Sequence, residues 1–165
     1  MQHYDRFCAL QVRAAELVEA ALGDRDPATI TRVQLSNKSY SAEAAAVVGR
    51  VLEKMINVTE VDFSDIIAGR PKEVGLEVLA AVCGGVRDRE LTYVDVSENA
   101  MGPDGVEACR PALVGKKGLR ALFMCNDGLS EAAMEAVRVR DILLTDTPTA
   151  LTTLHFYNNM SGDGG

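Results

Sequence analysis

The chain contains no tryptophan, and aromatic residues make up only 5% of it. Any core it builds must be aliphatic. With 47% hydrophobic residues in 165, one domain's worth of chain, there is enough apolar material for such a core. Cysteine is sparse: Cys8, Cys83, Cys109 and Cys125 stand 75, 26 and 16 residues apart and form no C-x-x-C pair. They read as reduced thiols in or near the core, in a reducing compartment. Histidine is scarcer still. His155 has no second histidine near it and His3 lies far away, so neither a metal site nor a general base is expected there. Positive charge is in deficit, with 17 Lys and Arg against 24 Asp and Glu, a net charge of −7. That balance argues against a nucleic-acid or membrane-surface binder. It favours a partner with a basic face, although many soluble proteins are acidic without that meaning. The longest apolar run is far below a membrane span, and the start, MQHYDRF, has no basic-then-apolar signal pattern. No membrane insertion is expected, and the default compartment is cytoplasmic or nuclear. The motifs G-x-x-x-x-G-K-[ST], H-E-x-x-H and G-x-S-x-G are missing as well. No cofactor and no self-contained enzyme chemistry are expected.

What is present is a recurring segment. The stretch Leu91–Gly102, LTYVDVSENAMG, places apolar residues at Leu91, Val94, Val96 and Met101 with Asn99 before the last. This is the leucine-rich-repeat pattern L-x-x-L-x-L-x-x-N-x-L. Val94 and Val96 alternate with Asp95 and Ser97, as a short strand with one buried face requires. Asn99 stands where the chain turns and can bond backbone left unpaired there. Segments in the same internal register begin at Val33 (VQLSNKSYS), Val61 (VDFSDIIAG), Val94 (VDVSENAMG), Leu122 (LFMCNDGLS) and Leu154 (LHFYNNMSG), 28, 33, 28 and 32 residues apart. Counting each first residue as position 1, positions 1, 3 and 8 are expected inside and positions 2, 4 and 5 outside. Position 6 is the asparagine place.

Helical patterns fill the intervals. Ser41–Met55 opens on an N-cap serine and carries Val47, Val48, Val51, Leu52 and Met55 on one side. Pro71 suits a first helical position ahead of Val74, Val78, Leu79 and Val82, and Pro103 suits one ahead of Val106 and Cys109. Pro111 is a flaw inside that third helix. Ser130 caps a fourth, running to about Leu143, with Thr145–Thr149 as its exit. The expected fold class is α/β: a ribonuclease-inhibitor-like horseshoe segment of a solenoid, with a parallel sheet on the concave side and helices on the convex side. Residues 1–28 lack the repeat signature but show helical spacing from Tyr4 to Leu22, which predicts an N-terminal helical cap. Residues 29–165 then hold about five repeats. The last stops after its strand, at SGDGG, so a further piece of chain or another chain is expected to cover that end.

The segments VDFSDIIAGRPKE, VDVSENAMGPDGV, LFMCNDGLSEAA and LHFYNNMSGDGG together resemble the Ran GTPase-activating proteins, most closely the plant and algal branch. The resemblance spans about residues 29–165, roughly the first half of that family's repeat domain. Its most specific markers are SDIIAGR, in place of a regular x-N-x-L, and CNDGLS, with asparagine at position 5. The resemblance implies a partner: a Ran-like small GTPase in its GTP form, in the cytoplasm or at the nuclear envelope. It also implies a mechanism in which no arginine finger is supplied and an asparagine helps hold the GTPase's own glutamine. That asparagine matches Asn126. An amide suits the task, being an uncharged donor and acceptor. On periodicity alone Asn126 is one more polar residue on the sheet's rim. Arg70 matches the arginine of the family's GR pair; paired to a carboxylate such as Asp65, it would be a structural or docking residue. Lys72 either meets the GTPase's acidic surface or is solvated. Asp127 departs from the asparagine of position 6 and, lacking the amide donor, is expected to weaken its turn. Glu98 stands where aspartate is commoner.

The outward positions read directly from the strands hold Asp62, Asp65, Asp95 and Glu98, followed by Phe123, His155, Tyr157 and Asn158. In register, Asp62 falls beside Asp95 and Asp65 beside Glu98, where like charges repel. This acidic group is either a solvated face or a docking patch for lysines and arginines of a partner. The rings beside it are of the kind that anchor interfaces. Two readings compete with a GTPase activator: a non-catalytic repeat scaffold that binds another protein in a fixed assembly, and a ribonuclease-inhibitor-like binder of a basic enzyme.

Overall fold

A computed structural model describes residues 20, 24–130 and 150–159. Five strands, β1 (Arg32–Gln34), β2 (Glu60–Asp62), β3 (Tyr93–Asp95), β4 (Ala121–Phe123) and β5 (Thr153–His155), form one parallel sheet in sequence order. The helices between them are α1 (Ala42–Leu52), α2 (Lys72–Gly84) and α3 (Gly102–Leu113). The first residue of each repeat segment pairs with the next: Val33 with Val61, Val94, Leu122 and Leu154 in turn. The five-fold spacing in the sequence is therefore a spatial register. The expected helix after Ser130 and the cap from Tyr4 to Leu22 lie outside the described residues. Ahead of β1 lies a short 3-10 turn, Pro27–Thr29, capped by the Asp26 side chain, which accepts from the Ala28 N–H at 2.9 Å.

The core lies between the sheet and the helices and is aliphatic, as the composition requires. Val61, Phe63, Val78, Leu79, Val82, Leu91, Val94 and Val96 are all fully buried. Cys83, Cys109 and Cys125 are buried free thiols. Ser41 caps α1 by accepting from the Ala44 N–H at 3.3 Å. Pro71 is the N-cap of α2 rather than its first helical residue, one place earlier than expected. Pro111 does not break α3. It is the third residue from the C-terminal end, so the helix forgoes one N–H bond, to the Glu107 carbonyl, and still runs on to Leu113. Close helix contact explains one glycine pair: a Cβ on Gly49 would meet the Ala81 carbonyl oxygen at 2.5 Å, and one on Gly85 would meet the Gly49 oxygen at 2.5 Å.

Below each strand a second ladder runs from repeat to repeat. The N–H groups of Thr59, Thr92, Arg120 and Thr152 donate to the carbonyls of Thr31, Thr59, Thr92 and Arg120. The threonine hydroxyls of 59, 92 and 152 add a second bond to those same acceptors. Basic residues close the helix exits. The Arg89 guanidinium donates to the Glu53 carbonyl at 2.6 Å. Lys116 donates to the carbonyls of Val86, Arg87 and Arg89, and its burial lowers its pKa.

Candidate functional site

The sheet's C-terminal edge carries most of the residues singled out in the sequence. Each strand is followed by a residue in the left-handed backbone region: Asn37 (φ 59), Asp65 (φ 51), Glu98 (φ 63), Asn126 (φ 56) and Asn158 (φ 58). All five occupy position 5. Asn and Asp tolerate this conformation better than other non-glycine residues, which accounts for four of the five; Glu98 is the exception. The reversal lets the next residue turn back into the molecule while the position-5 side chain stays at the rim. Its N–H is used as well. Asn37, Asp65, Glu98 and Asn126 donate to the position-4 carbonyl of the following repeat, Asn126 to Tyr157 at 3.1 Å.

Asn126 is exposed, and its amide Nδ2 donates to Glu98 Oε2 at 2.5 Å. Glu98 thus holds one side of the amide, with the Asn126 carbonyl oxygen at the other. Beneath it, position 6 turns inward. Asn99 is 2% exposed, and its Oδ1 accepts from the Ile66 N–H at 3.0 Å. Its Nδ2 donates to the carbonyls of Phe63, Val96 and Ser97. Asn159 repeats this two strands further on, accepting from Asp127 and Leu129 and donating to Met124 and Phe156. Asp127 stands between them, fully buried. Its Oδ1 accepts from the Asn99 N–H at 3.0 Å, while Oδ2 has no partner. Burial, with smaller contributions from Asp95 and Glu98, raises its pKa to about 8.

On the strands themselves Asp62 lies directly beside Asp95, as the register argument requires. Each carboxylate is tethered within its own turn. Asp62 Oδ1 accepts from the Ser64 N–H and hydroxyl, Asp95 Oδ1 from the Ser97 N–H, and Gln34 donates to Asp62 Oδ2 at 3.1 Å. Next to this pair the rings form a continuous row. Tyr93 and Phe123 are 5.2 Å apart between centroids, Phe123 and His155 4.7 Å, His155 and Tyr157 6.0 Å. Tyr93 was missed because it precedes position 1. Burial raises its pKa, as do Asp95 and Asp62. Tyr157 is 62% exposed, with its pKa raised by the neighbouring Cys125.

Several expectations need correction. Arg70 does not pair with Asp65 or another carboxylate. Its Nε donates to the Ser39 hydroxyl and Nη2 to the Ser39 carbonyl, both at 2.9 Å, because the loop of the preceding repeat lies closer than its own. Position 4 is not uniformly outward. Ser97 and Cys125 are buried, because consecutive position-4 residues stack, and the Ser97 hydroxyl accepts from the Cys125 N–H. Leu154, expected inside, is 45% exposed at the edge of the sheet. Lys72 is solvated but not unpaired: it meets Asp104 at 2.6 Å, tying the start of α2 to the start of α3, and this contact raises its pKa.

No protein-family model matches the chain. Curated proteins do. RAN GTPase-activating protein 1 of Arabidopsis thaliana is 37% identical over 95 residues, which is 57% of this chain and 18% of that protein. RAN GTPase-activating protein 2 of the same plant is 34% identical over 94 residues, 56% of this chain and 17% of that one. The chain is related to the RAN GTPase-activating proteins. The matched segment is under a fifth of either relative's length. Both relatives are named for activation of a GTPase. Among the described residues no group of three or more His, Cys, Asp or Glu could hold a metal ion, and no helix is long and apolar enough to cross a membrane.

Proposed function

We propose that this chain is part of a leucine-rich-repeat solenoid, with the sheet on its concave side, that activates GTP hydrolysis by a Ran-like GTPase in its GTP form. The observation that carries the reading is Asn126: an exposed amide on a left-handed turn, in a chain related to proteins named for that activity. In this mechanism the GTPase keeps its own glutamine and water, and the activator contributes position. Phosphoryl transfer of this kind is largely a matter of placement and charge stabilisation, so a fixed neutral amide suffices. Glu98 fixes one amide hydrogen of Asn126 and leaves its oxygen to meet the NH2 of a glutamine. Arg70, bound to Ser39, supports the loop and does not reach for phosphate. Asp62, Asp65, Asp95 and Glu98 attract the basic surface of the partner, and Phe123, Tyr157 and Asn158 extend the contact along the sheet. Lys72, paired with Asp104 between the starts of α2 and α3, would meet the acidic surface of the GTPase. A cytoplasmic or nuclear-envelope location fits this role.

The deciding experiment is single-turnover GTP hydrolysis by Ran with the full-length protein and its Asn126→Ala variant. The variant should retain binding to GTP-loaded Ran while losing at least 100-fold in stimulated rate, a scale set by the loss of one positioning group. Equal rates would remove Asn126 from the mechanism. The row of rings from Tyr93 to Tyr157 favours a second reading, a non-catalytic binding scaffold. A scaffold would capture GTP-loaded and GDP-loaded Ran equally, or neither.

A further inference from the structure

The residue behind Asn126 breaks the pattern of its neighbours. At position 6, Asn99 and Asn159 each use both ends of an amide. The oxygen accepts an N–H from the preceding repeat, and the nitrogen donates to the position-3 carbonyl of the preceding repeat and to that of its own. Asp127 fills the same place in the repeat between them. Its Oδ1 performs the accepting half, taking the Asn99 N–H. By the same register Oδ2 occupies the place of the amide nitrogen, facing the position-3 carbonyls of Val96 and Met124. As a carboxylate it would present a lone pair to acceptors at a fully buried position, which is strongly unfavourable. As a carboxylic acid it has one acceptor and one donor, the same complement as an amide.

We propose that Asp127 is held as the neutral acid, donating from Oδ2 to the Val96 or Met124 carbonyl, and that it is the positioning residue for Asn126. The earlier expectation that aspartate weakens this turn then holds only when the proton is lost. Three observations independent of titration support the assignment: complete burial, an Oδ2 with no partner, and flanking residues that perform the same bonding with amides. The titratable groups facing Asp127 among the described residues are Asp95 and Glu98 from the neighbouring strand segment and the Cys109 thiol of α3. As carboxylates Asp95 and Glu98 favour the protonated form, while the Cys109 thiol, its own pKa raised by Cys83 and by burial, stays neutral and adds no charge. The backbone N–H of Asn99 opposes them but is outweighed by burial. Loss of the proton places a charge against two carbonyls directly behind Asn126, and the Asn126 turn loosens.

The sign follows from linkage. The folded-state pKa, about 8, lies above the ordinary 3.8, so the folded state holds the proton more tightly. The stability gained is full below about pH 4 and declines as pH rises to about 8. Over that window the unfolding constant changes by up to about tenfold per pH unit. The test compares the full-length protein with Asp127→Asn by urea denaturation between pH 5 and pH 9.5, alongside carbon-13 NMR of the aspartate carboxyls. The wild type should lose stability towards pH 8 and Asp127→Asn should not, and one carboxyl absent from the variant's spectrum should titrate near 8. A carboxyl titrating near 4, or an unchanged pH slope in Asp127→Asn, would overturn the proposal. Asp127→Leu separates packing from bonding: it should be less stable than Asp127→Asn at every pH, and equal stability would also overturn it. The positioning role rests on the GTPase reading above. It predicts that stimulated hydrolysis by the wild type falls above pH 8 relative to Asp127→Asn, and parallel profiles would refute that role. If neither protein stimulates hydrolysis at any pH, the GTPase reading fails and Asp127 positions no catalytic amide, while the carboxyl titration still decides its protonation.

Discussion

At the scale of single residues, position 6 is the most demanding place in each repeat. Asn99 satisfies one N–H and three carbonyls that the turn removes from water. Asn99→Ala would leave them without partners. Each orphaned group costs on the order of 1–3 kcal/mol, softened by local relaxation, so a loss of about 3 kcal/mol is expected. Urea denaturation measures it directly, and a loss below about 1 kcal/mol would show that the backbone finds other partners. The pattern x-x-N made Asn99 legible from the sequence. The bonds it makes were not, because two of its partners, Phe63 and Ile66, stand 36 and 33 residues earlier. The left-handed position 5 was legible in principle: four of its five occupants are Asn or Asp, the residues that tolerate that conformation. Only the backbone angles showed that Glu98 shares it. Arg70 went wrong in the sequence because proximity along the chain stood in for proximity in space.

At the scale of elements, the helices were located by their apolar spacing and caps, and the boundaries moved by only a residue or so at the proline-marked starts. What periodicity cannot convey is how closely two helices approach. Gly49 reads as an unfavourable residue in the middle of α1, and replacing it with alanine ought to help by about 1 kcal/mol on helix propensity. The contact with α2 reverses that. A methyl group would press on the Ala81 carbonyl oxygen at 2.5 Å, and backbone cannot swing aside as a long side chain does. Overpacking typically costs about 1–3 kcal/mol, so Gly49→Ala should be net destabilising by about 1 kcal/mol and lower the thermal midpoint. An increase in the midpoint would mean that α1 and α2 separate more easily than their packing suggests.

At the scale of the whole molecule, parallel register turns a one-dimensional repeat into a surface. Asp62 and Asp95 become neighbours, and Tyr93, Phe123, His155 and Tyr157 become a row, although 64 residues separate the first ring from the last. The net charge of −7 gives that surface a long-range attraction for a basic partner. If the acidic pair serves docking, Asp62→Asn with Asp95→Asn should slow association with GTP-loaded Ran by about tenfold at low salt, with the difference vanishing towards 1 M, where screening is nearly complete. Stopped-flow association rates at several salt concentrations would show it. Identical rates at low salt would mean the pair is solvated and nothing more.

The sequence by itself determined the repeat, its strand register and the aliphatic core, because these follow from local spacing of apolar residues and recur five times. It also marked Asn126 and Asp127 as departures. It could not say what those departures do. Whether an aspartate is a charged surface group or a buried acid depends on what surrounds each of its oxygens, and for Asp127 the partner that the structure assigns, the Asn99 N–H, comes from the neighbouring repeat. Tertiary structure decided that point, and with it which of two adjacent residues, Asn126 and Asp127, lies exposed at the rim and which is buried behind it.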